Sequence, residues 1–225
     1  MSNRNDSTST GDDKSLSLHF LEFCAKVRNN DPSILPEIGR PFKIRPLSEK
    51  EDIELANALM QNNNVTYLAL STDSYTKVSA EAMAKYVRTS IRLQRIQWDR
   101  DSYGDDRELQ LHEEILCCFL YAIQESASLK ELDIYYFPLI GGPSNLALEN
   151  MLTHTQSLRS LTLRIFPRLN AVAAAWSGLK KNTTLRELTL ECKWGATTIS
   201  SVLTSLRDHP HLRRLCLRGD VGDLT

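Results

Sequence analysis

The chain contains 225 residues, of which 41% are apolar and 24% are charged, with 27 basic and 28 acidic side chains. This composition is that of a globular protein and excludes a largely disordered chain. At about 150 residues per domain the length predicts one to two domains. The net charge of −1 gives no reason to expect a cationic surface for nucleic acid.

Residues 1–15 are mostly Ser, Thr, Asn and Asp, which predicts a disordered tail. They have neither the basic start nor the apolar stretch of a secretory signal. No apolar run reaches the roughly 18 residues of a membrane span. Five cysteines without Cys-x-x-Cys spacing indicate reduced thiols. We therefore expect a protein of the cytoplasm or nucleus that has no membrane partner.

The first predicted helix lies between Leu16 and Val27, where apolar residues recur at helical spacing. It should end near Pro32, because proline cannot continue a helix. An irregular, proline-containing segment follows, with residues 42–44 as a candidate atypical strand.

From residue 65 onward the pattern Leu-x-x-Leu-x-Leu, with close apolar substitutes, occurs six times. Its first positions are 28, 36, 29, 27 and 27 residues apart. The copies begin at Val65, Leu93, Leu129, Leu158, Leu185 and Leu212, and continue with Leu68 and Leu70, Ile96 and Trp98, Leu132 and Ile134, Leu161 and Leu163, Leu188 and Leu190, and Leu215 and Leu217. Such a period predicts structural units that stack on one another.

Two apolar residues, four positions apart, precede every copy by ten and six residues. The pairs are Leu55 and Leu59, Met83 and Val87, Phe119 and Ile123, Leu148 and Leu152, Ala175 and Leu179, and Val202 and Leu206. Spacing by four marks a helix face, and the alternate apolar residues of the motif mark a strand with one buried side. Each unit is therefore predicted to be a helix, a polar turn and a strand. Ser48 and Glu51 predict a capping box, and Ser79 is predicted to precede the second of these helices.

With these motifs in phase, residues from about 48 to 217 resemble the leucine-rich repeat family. The 27- to 29-residue units with a full helix resemble its ribonuclease-inhibitor-like subclass. The resemblance implies an α/β solenoid of about six repeats, with a curved parallel sheet on the concave face and helices on the convex face. One departure predicts irregular loops: the family's Asn or Cys after each strand is replaced by Asp73, Asp101, Phe137, Phe166, Lys193 and Asp220.

The predicted organisation is one solenoid and no second domain. Residues 1–15 form the tail, 16–47 an N-terminal helix and irregular cap, and 48–225 the repeats, since a terminal repeat needs its core covered. Only eight residues follow Leu217, so we expect no C-terminal cap. The sequence is then either part of a longer repeat protein or covered there by a partner.

The resemblance also implies that the concave face, built from strand residues between the leucines, binds another protein. Tyr and Arg dominate binding hot spots, and they are frequent at these positions. The predicted protein-binding residues are Arg95, Gln97, Asp99, Asp133, Tyr135, Tyr136, Arg164, Glu191, Arg214 and Arg218, with the two tyrosines flanked by Arg164, Arg95 and Asp133 as the anchor. The alternative is a polar sheet face that is only solvated.

A basic column occupies the second motif position, at Lys130, Arg159, Arg186 and Arg213. Four cations in register could attract an acidic partner or a nucleic acid backbone. We expect instead that nearby carboxylates such as Glu131, Glu187 and Glu191 neutralise them.

The remaining patterns predict no chemistry. The acidic stretch that begins at Asp99 is not expected to be a calcium loop, because Tyr103 replaces an oxygen ligand and Gln110 replaces the closing bidentate Glu. Cys117 and Cys118 lie on an apolar helix without partner ligands and are predicted to pack in the core. No phosphate loop, Ser-His-Asp set or carboxylate pair is present. We therefore predict no catalytic residue, metal, cofactor or small-molecule substrate.

The leading hypothesis is a non-catalytic scaffold that binds another protein. Two alternatives stay open. One is the substrate-recognition subunit of a ubiquitin ligase, since Leu35-Pro36 resembles the start of an F-box. The other is a repeat segment like those of GTPase-activating proteins and intracellular immune receptors.

Overall fold

Helices and strands alternate along the chain. The computed structural model describes residues 18–34, 47–71, 75–99, 106–137, 142–165, 173–191, 200, 202–204, 206–207 and 209–219. The helices are α1 (Leu18–Arg28), α2 (Glu49–Met60), α3 (Lys77–Thr89), α4 (Asp106–Glu125), α5 (Gly142–His154) and α6 (Ala173–Lys181), with a 3₁₀ turn at Pro32–Ile34. The strands are β1 (Tyr67–Ser71), β2 (Arg95–Asp99), β3 (Glu131–Phe137), β4 (Ser160–Ile165), β5 (Glu187–Glu191) and β6 (Arg214–Arg218).

Within these ranges the strands form one six-stranded parallel sheet in the order β1-β2-β3-β4-β5-β6. Its register aligns the fourth motif position across the sheet, at Leu68, Ile96, Leu132, Leu161, Leu188 and Leu215. Crossovers of one hand between strands in chain order place the connecting helices α3 to α6 on the same side of the sheet, and α2 packs against α3. The molecule is therefore an α/β solenoid of stacked helix–strand units, as the motif spacing predicted, and its sheet is parallel, as the resemblance to leucine-rich repeats implied. The register shifts between Ile134 and Phe137, where β3 is irregular.

The core between sheet and helices is built from the repeated apolar positions. Leu55, Met83 and Phe119 are completely buried on their helices, as are the strand leucines of β3 to β5. Trp98 occupies a motif position that holds a smaller side chain, Leu or Ile, in the other repeats. Its ring packs edge to face against Phe119, with ring centroids 4.4 Å apart. This contact adds aromatic packing in the longest unit, where the helix α4 is 20 residues long.

The helix starts partly match the sequence prediction. The capping box at α2 is confirmed, because Ser48 N donates to a Glu51 carboxylate oxygen at 2.9 Å and the Ser48 side chain accepts from Glu51 N. The prediction that Ser79 precedes α3 is wrong. Thr76 is the N-cap of α3, and Ser79 is the third helical residue, whose hydroxyl accepts from Thr76 N at 3.0 Å. Ser replaces the usual Glu of a capping box here, which hid the pattern.

A column of polar side chains, three residues before each motif, ties the helix-to-strand turns. Asn182 Oδ1 accepts the N–H groups of Thr184 and Leu185 at 2.9 and 2.7 Å, and its amide donates to Leu152 O of the preceding coil at 2.6 Å. Asn62 makes the same three bonds, to Asn64, Val65 and Val27, and His209 Nδ1 accepts from Leu212 N at 3.0 Å. This column was not predicted, although its spacing from the motif is constant in the sequence.

In the third, fourth and fifth motif copies, a hydroxyl group one residue before the motif bonds the coil to its predecessor. The donors and acceptors are Ser128 Oγ to Ser90 O (2.6 Å), Ser157 Oγ to Ser126 O (2.7 Å) and Thr184 Oγ1 to Thr155 O (3.3 Å). These bonds satisfy backbone carbonyls that a buried turn would otherwise leave without partners.

Helix α1 lies against α2. Its Cys24 and Val27 are buried, Arg28 forms an ion pair with Glu54 of α2, and the Asn62 amide donates to Val27 O at 2.5 Å. The helix ends at Arg28, ahead of Pro32 as predicted. The predictions for residues 1–15, for the candidate strand at 42–44 and for Leu35-Pro36 lie outside the described residues.

Helices α5 and α6 lie close together at Gly178. A Cβ there would lie 2.6 Å from Glu149 O and 3.0 Å from Leu152 Cβ. We therefore expect Gly178→Ala to lower the free energy of unfolding by about 1–3 kcal/mol, the cost of overpacking, in urea denaturation. Gly142→Ala is the matched control, because nothing lies within 4 Å of a Cβ at that position of α5. Equal effects of the two substitutions would contradict this reading of the contact.

Candidate functional site

The candidate site is the side of the sheet that faces away from the helices, here called the open face. Its side chains alternate with the buried strand residues, because successive strand residues point to opposite sides. The open face consists of Tyr67, Ala69, Arg95, Gln97, Glu131, Asp133, Tyr135, Ser160, Thr162, Arg164, Glu187, Thr189, Glu191, Arg214, Cys216 and Arg218. All are exposed or half-buried except Asp133, which is 9% exposed. The face is thus polar and accessible.

A first cluster joins β1, β2 and β3. Arg95 donates to Asp133 Oδ2 from Nη2 at 2.7 Å and from Nε at 3.2 Å, and its guanidinium lies 5.1 Å from the centre of the Tyr67 ring. Tyr67 in turn donates its hydroxyl to Gln97 Oε1 at 2.5 Å. The bond to Asp133 raises the pKa of Arg95, while burial raises the pKa of Tyr67 against the opposing effect of Arg95. Arg95 therefore stays charged and Tyr67 stays a hydroxyl donor at neutral pH.

A second cluster joins β3, β4 and β5. The Arg164 guanidinium lies 4.2 Å from the centre of the Tyr135 ring, and Arg164 Nε is 3.1 Å from Glu191 Oε2. Tyr135 follows Asp133 by two residues on β3, so both side chains lie on the open face and the two clusters adjoin. Together they form one patch of aromatic, basic and acidic groups at the middle of the sheet.

The structure brings together most of the predicted binding residues. Arg95, Gln97 and Asp133 belong to the first cluster, while Tyr135, Arg164 and Glu191 belong to the second. Arg214 pairs with Glu187 at 3.5 Å, outside both clusters, and Arg218 is the lateral neighbour of Glu191. The side chains of Asp99 and Tyr136 lie outside the described residues. Tyr67 was not predicted as a site residue, although its motif position is the one that Arg95 occupies in the next repeat.

The basic column runs across the N-terminal ends of strands β3 to β6. This border of the sheet, and not an outer strand, is the edge referred to below. The backbone N–H of Arg159, Arg186 and Arg213 each donates to the carbonyl of the preceding member, at 2.8, 2.8 and 2.7 Å. We expected nearby carboxylates to neutralise this column, but the ion pairs of those carboxylates are with other residues. Glu131, Glu187 and Glu191 pair instead with Arg95, Arg214 and Arg164 of the open face.

The helical side carries a groove of about 900 Å³ between α3, α4 and α5. Cys117 and Cys118 line it beside exposed Tyr121 and Leu146, and both cysteines also pack against the core. Burial raises the pKa of Cys117 to about 11 and raises that of Cys118, so both are neutral thiols at physiological pH.

Among the described residues, no group of three or more His, Cys, Asp or Glu side chains has the arrangement of a metal site. None of the helices that they form is long and apolar enough to cross a membrane.

Similarity of this chain to known proteins is found among solved structures. No protein-family model matches the chain, and no curated protein matches it significantly. Among solved structures, the chain is similar to "Leiomodin-1 Actin-Binding Site 2 (ABS2)", with a TM-score of 0.49 and 17% sequence identity over 87% of this chain and 91% of that chain. The fold assignment rests on the strand order, the register and the six motif copies described above.

Proposed function

We propose that this chain is a non-catalytic scaffold that binds another protein on its open face, which is the concave side in the leucine-rich repeat architecture. The main support for the proposal is the patch formed by the two adjoining clusters at the middle of the sheet. There Arg164 stacks on Tyr135 next to the Arg95–Asp133 pair. Tyrosine and arginine are the residues that dominate protein-binding hot spots.

The ordering of two arginine side chains before any partner binds supports the same proposal. Each long side chain that binding immobilises costs about 0.5–1.5 kcal/mol. In this patch Arg95 and Arg164 are already held by carboxylates and by aromatic rings. A partner would therefore meet side chains whose ordering cost is largely met in the free protein.

The size of the open face sets a condition on the partner. Six strands about 4.8 Å apart and about five residues long give a projected area on the order of 400 Å². A standard interface takes about 800 Å² from each partner. Because the accessible area of a face covered with side chains exceeds its projected area, a partner reaches the standard size by covering nearly the whole open face or by also contacting an edge of the sheet.

The subclass, the compartment and the cap belong to the same proposal. Helices of 12, 13, 20 and 13 residues in α2 to α5 support the ribonuclease-inhibitor-like subclass. Cys24, Cys117, Cys118 and Cys216 are free thiols, which supports the cytoplasm or nucleus. The contacts of α1 with α2 support an N-terminal cap on the first repeat.

The test is affinity capture from cell extract with three matched baits: wild type, Tyr135→Ala with Arg164→Ala, and Tyr121→Ala. Tyr121 is a suitable control because it is 44% exposed on α4, on the helical side. We expect a stoichiometric protein with wild type and with the control bait. Its recovery should fall more than about tenfold with the open-face variant, since losing a hot spot of about 2 kcal/mol weakens affinity about thirtyfold.

Circular dichroism and urea denaturation check that all three baits are folded. The proposal fails if capture depends on Tyr121 and not on the open face. It also fails if folded wild-type protein recovers no stoichiometric partner.

A further inference from the structure

The basic column forms a line of cations whose charges are largely unused within the molecule. Lys130, Arg186 and Arg213 are exposed, and in the parts of the chain that the structure describes none of the three has a carboxylate within ion-pair distance. Arg159 is half-buried and donates from Nη1 to Thr184 O at 2.9 Å, so it also supports the neighbouring turn. Only this member has a structural role in the described contacts.

The backbone fixes the spacing of the line. Because each member donates its N–H to the carbonyl of the one before, successive Cα atoms are about 4.8 Å apart, as in any parallel ladder. The positive charges of neighbouring members repel one another. Salt screens exposed charges effectively only when they are more than about 8–10 Å apart. The fold tolerates this repulsion although uncharged residues would satisfy the same backbone positions.

The carboxylates that could relieve the repulsion are engaged elsewhere. Glu131 and Glu187 directly follow Lys130 and Arg186 in the chain, yet they turn to Arg95 and Arg214 across the open face. The cations at the edge are therefore left to solvent or to an acidic group from outside.

We infer that this edge binds an acidic segment of a protein partner, with carboxylates meeting Lys130, Arg186 and Arg213. The inference deepens the proposed function and rests on it, because the edge continues directly from the open face and adds contact area next to the strands. A nucleic acid backbone fits less well, since Glu131, Asp133 and Glu187 form the adjoining rows. Four cations are also fewer than the 6–10 phosphate contacts of typical nucleic-acid binders.

The test is fluorescence anisotropy of a labelled decaglutamate peptide titrated with the full chain at 50 and 300 mM salt. We expect measurable binding at low salt that weakens at high salt, as exposed charge contacts do. Arg186→Gln with Arg213→Gln should weaken binding about tenfold, because two exposed ion pairs together contribute about that much. Surface substitutions of this kind should leave the protein folded.

A second double variant, Lys77→Gln with Lys85→Gln, removes the same net charge from exposed positions on α3 and should change binding less than about twofold. Equal weakening by both double variants, or no binding of decaglutamate by wild type, would overturn the inference. Tighter binding of a single-stranded thymidine decamer through the same arginines would replace the acidic protein segment with a nucleic acid. The open-face baits do not alter this edge, so partner capture that survives a failed peptide titration leaves the proposed function standing.

Discussion

Replacing Asp52 with asparagine is expected to stabilise the protein at pH 8 and to leave it almost unchanged at pH 4. Asp52 on α2 is 3% exposed, its Oδ2 atom has no hydrogen-bond partner, and burial raises the pKa of this carboxyl to about 7. A hydrogen bond from Ser79 opposes the rise, while Glu51 and Glu49 add to it. The buried hydroxyl of Tyr75 also faces this charge.

The sign follows from proton linkage. The folded-state pKa lies above the ordinary value of 3.8, so the native protein holds this proton more tightly than the unfolded chain does. The stabilising contribution is complete below about pH 4 and is lost as the pH rises through about 7. Three pH units correspond to at most about 4 kcal/mol.

The measurement is the difference in free energy of unfolding between Asp52→Asn and wild type, from urea denaturation at several pH values. The contributions of all other titrating groups cancel, because these groups are the same in the variant and in wild type. We expect the difference to grow in favour of the variant from pH 4 to pH 7. Asp31→Asn is the control: Asp31 is only half-buried, and its pKa is lowered by hydrogen bonds from Ser33. A difference for Asp52→Asn that stays constant with pH would rule out a buried, titrating carboxyl.

Replacing Asn182 with alanine should cost about 3 kcal/mol of unfolding free energy. Asn182 is 1% exposed and makes three hydrogen bonds, which satisfy Thr184 N, Leu185 N and the carbonyl of Leu152 near the end of α5. Alanine would leave all three backbone groups buried without partners, at about 1 kcal/mol or more each.

The matched control is Thr183→Ala in the same turn, because Thr183 is exposed and substitutions of this kind stay within about 0.5 kcal/mol. Urea denaturation of both variants and of wild type makes the comparison. If Asn182→Ala and Thr183→Ala differ by less than about 1 kcal/mol, the polar column is not what holds the turns between coils.

Much of the fold follows from local spacing. Apolar residues at alternate and at four-residue intervals specify strand and helix faces, and the constant distance between motif copies specifies the register, so Leu132 and Leu161 could be expected side by side. The N-cap of α3 was missed because Thr76 pairs with Ser79 where Glu is usual. Asp52 gave no signal, since acidic residues are common in a first helical turn whether exposed or buried.

The candidate site was predictable only in part. Alternation along the strands placed Arg95, Asp133 and Tyr135 on one face. The pairing of Arg164 with Tyr135, and of Arg95 with Tyr67, depends on the rotamers of long side chains and on lateral neighbours. Motif positions in one repeat do not contain that information. For the same reason the sequence did not predict that Glu131, Glu187 and Glu191 pair with arginines of the open face and not with the basic column.

Site-specific photo-crosslinking in cells shows whether the open face binds a protein. The crosslinker p-benzoylphenylalanine replaces Thr162, at the centre of the open face on β4, or Tyr121, on the helical side. We expect a discrete crosslinked partner from position 162 and none from position 121. A partner that crosslinks from position 121 and not from position 162 would contradict this expectation.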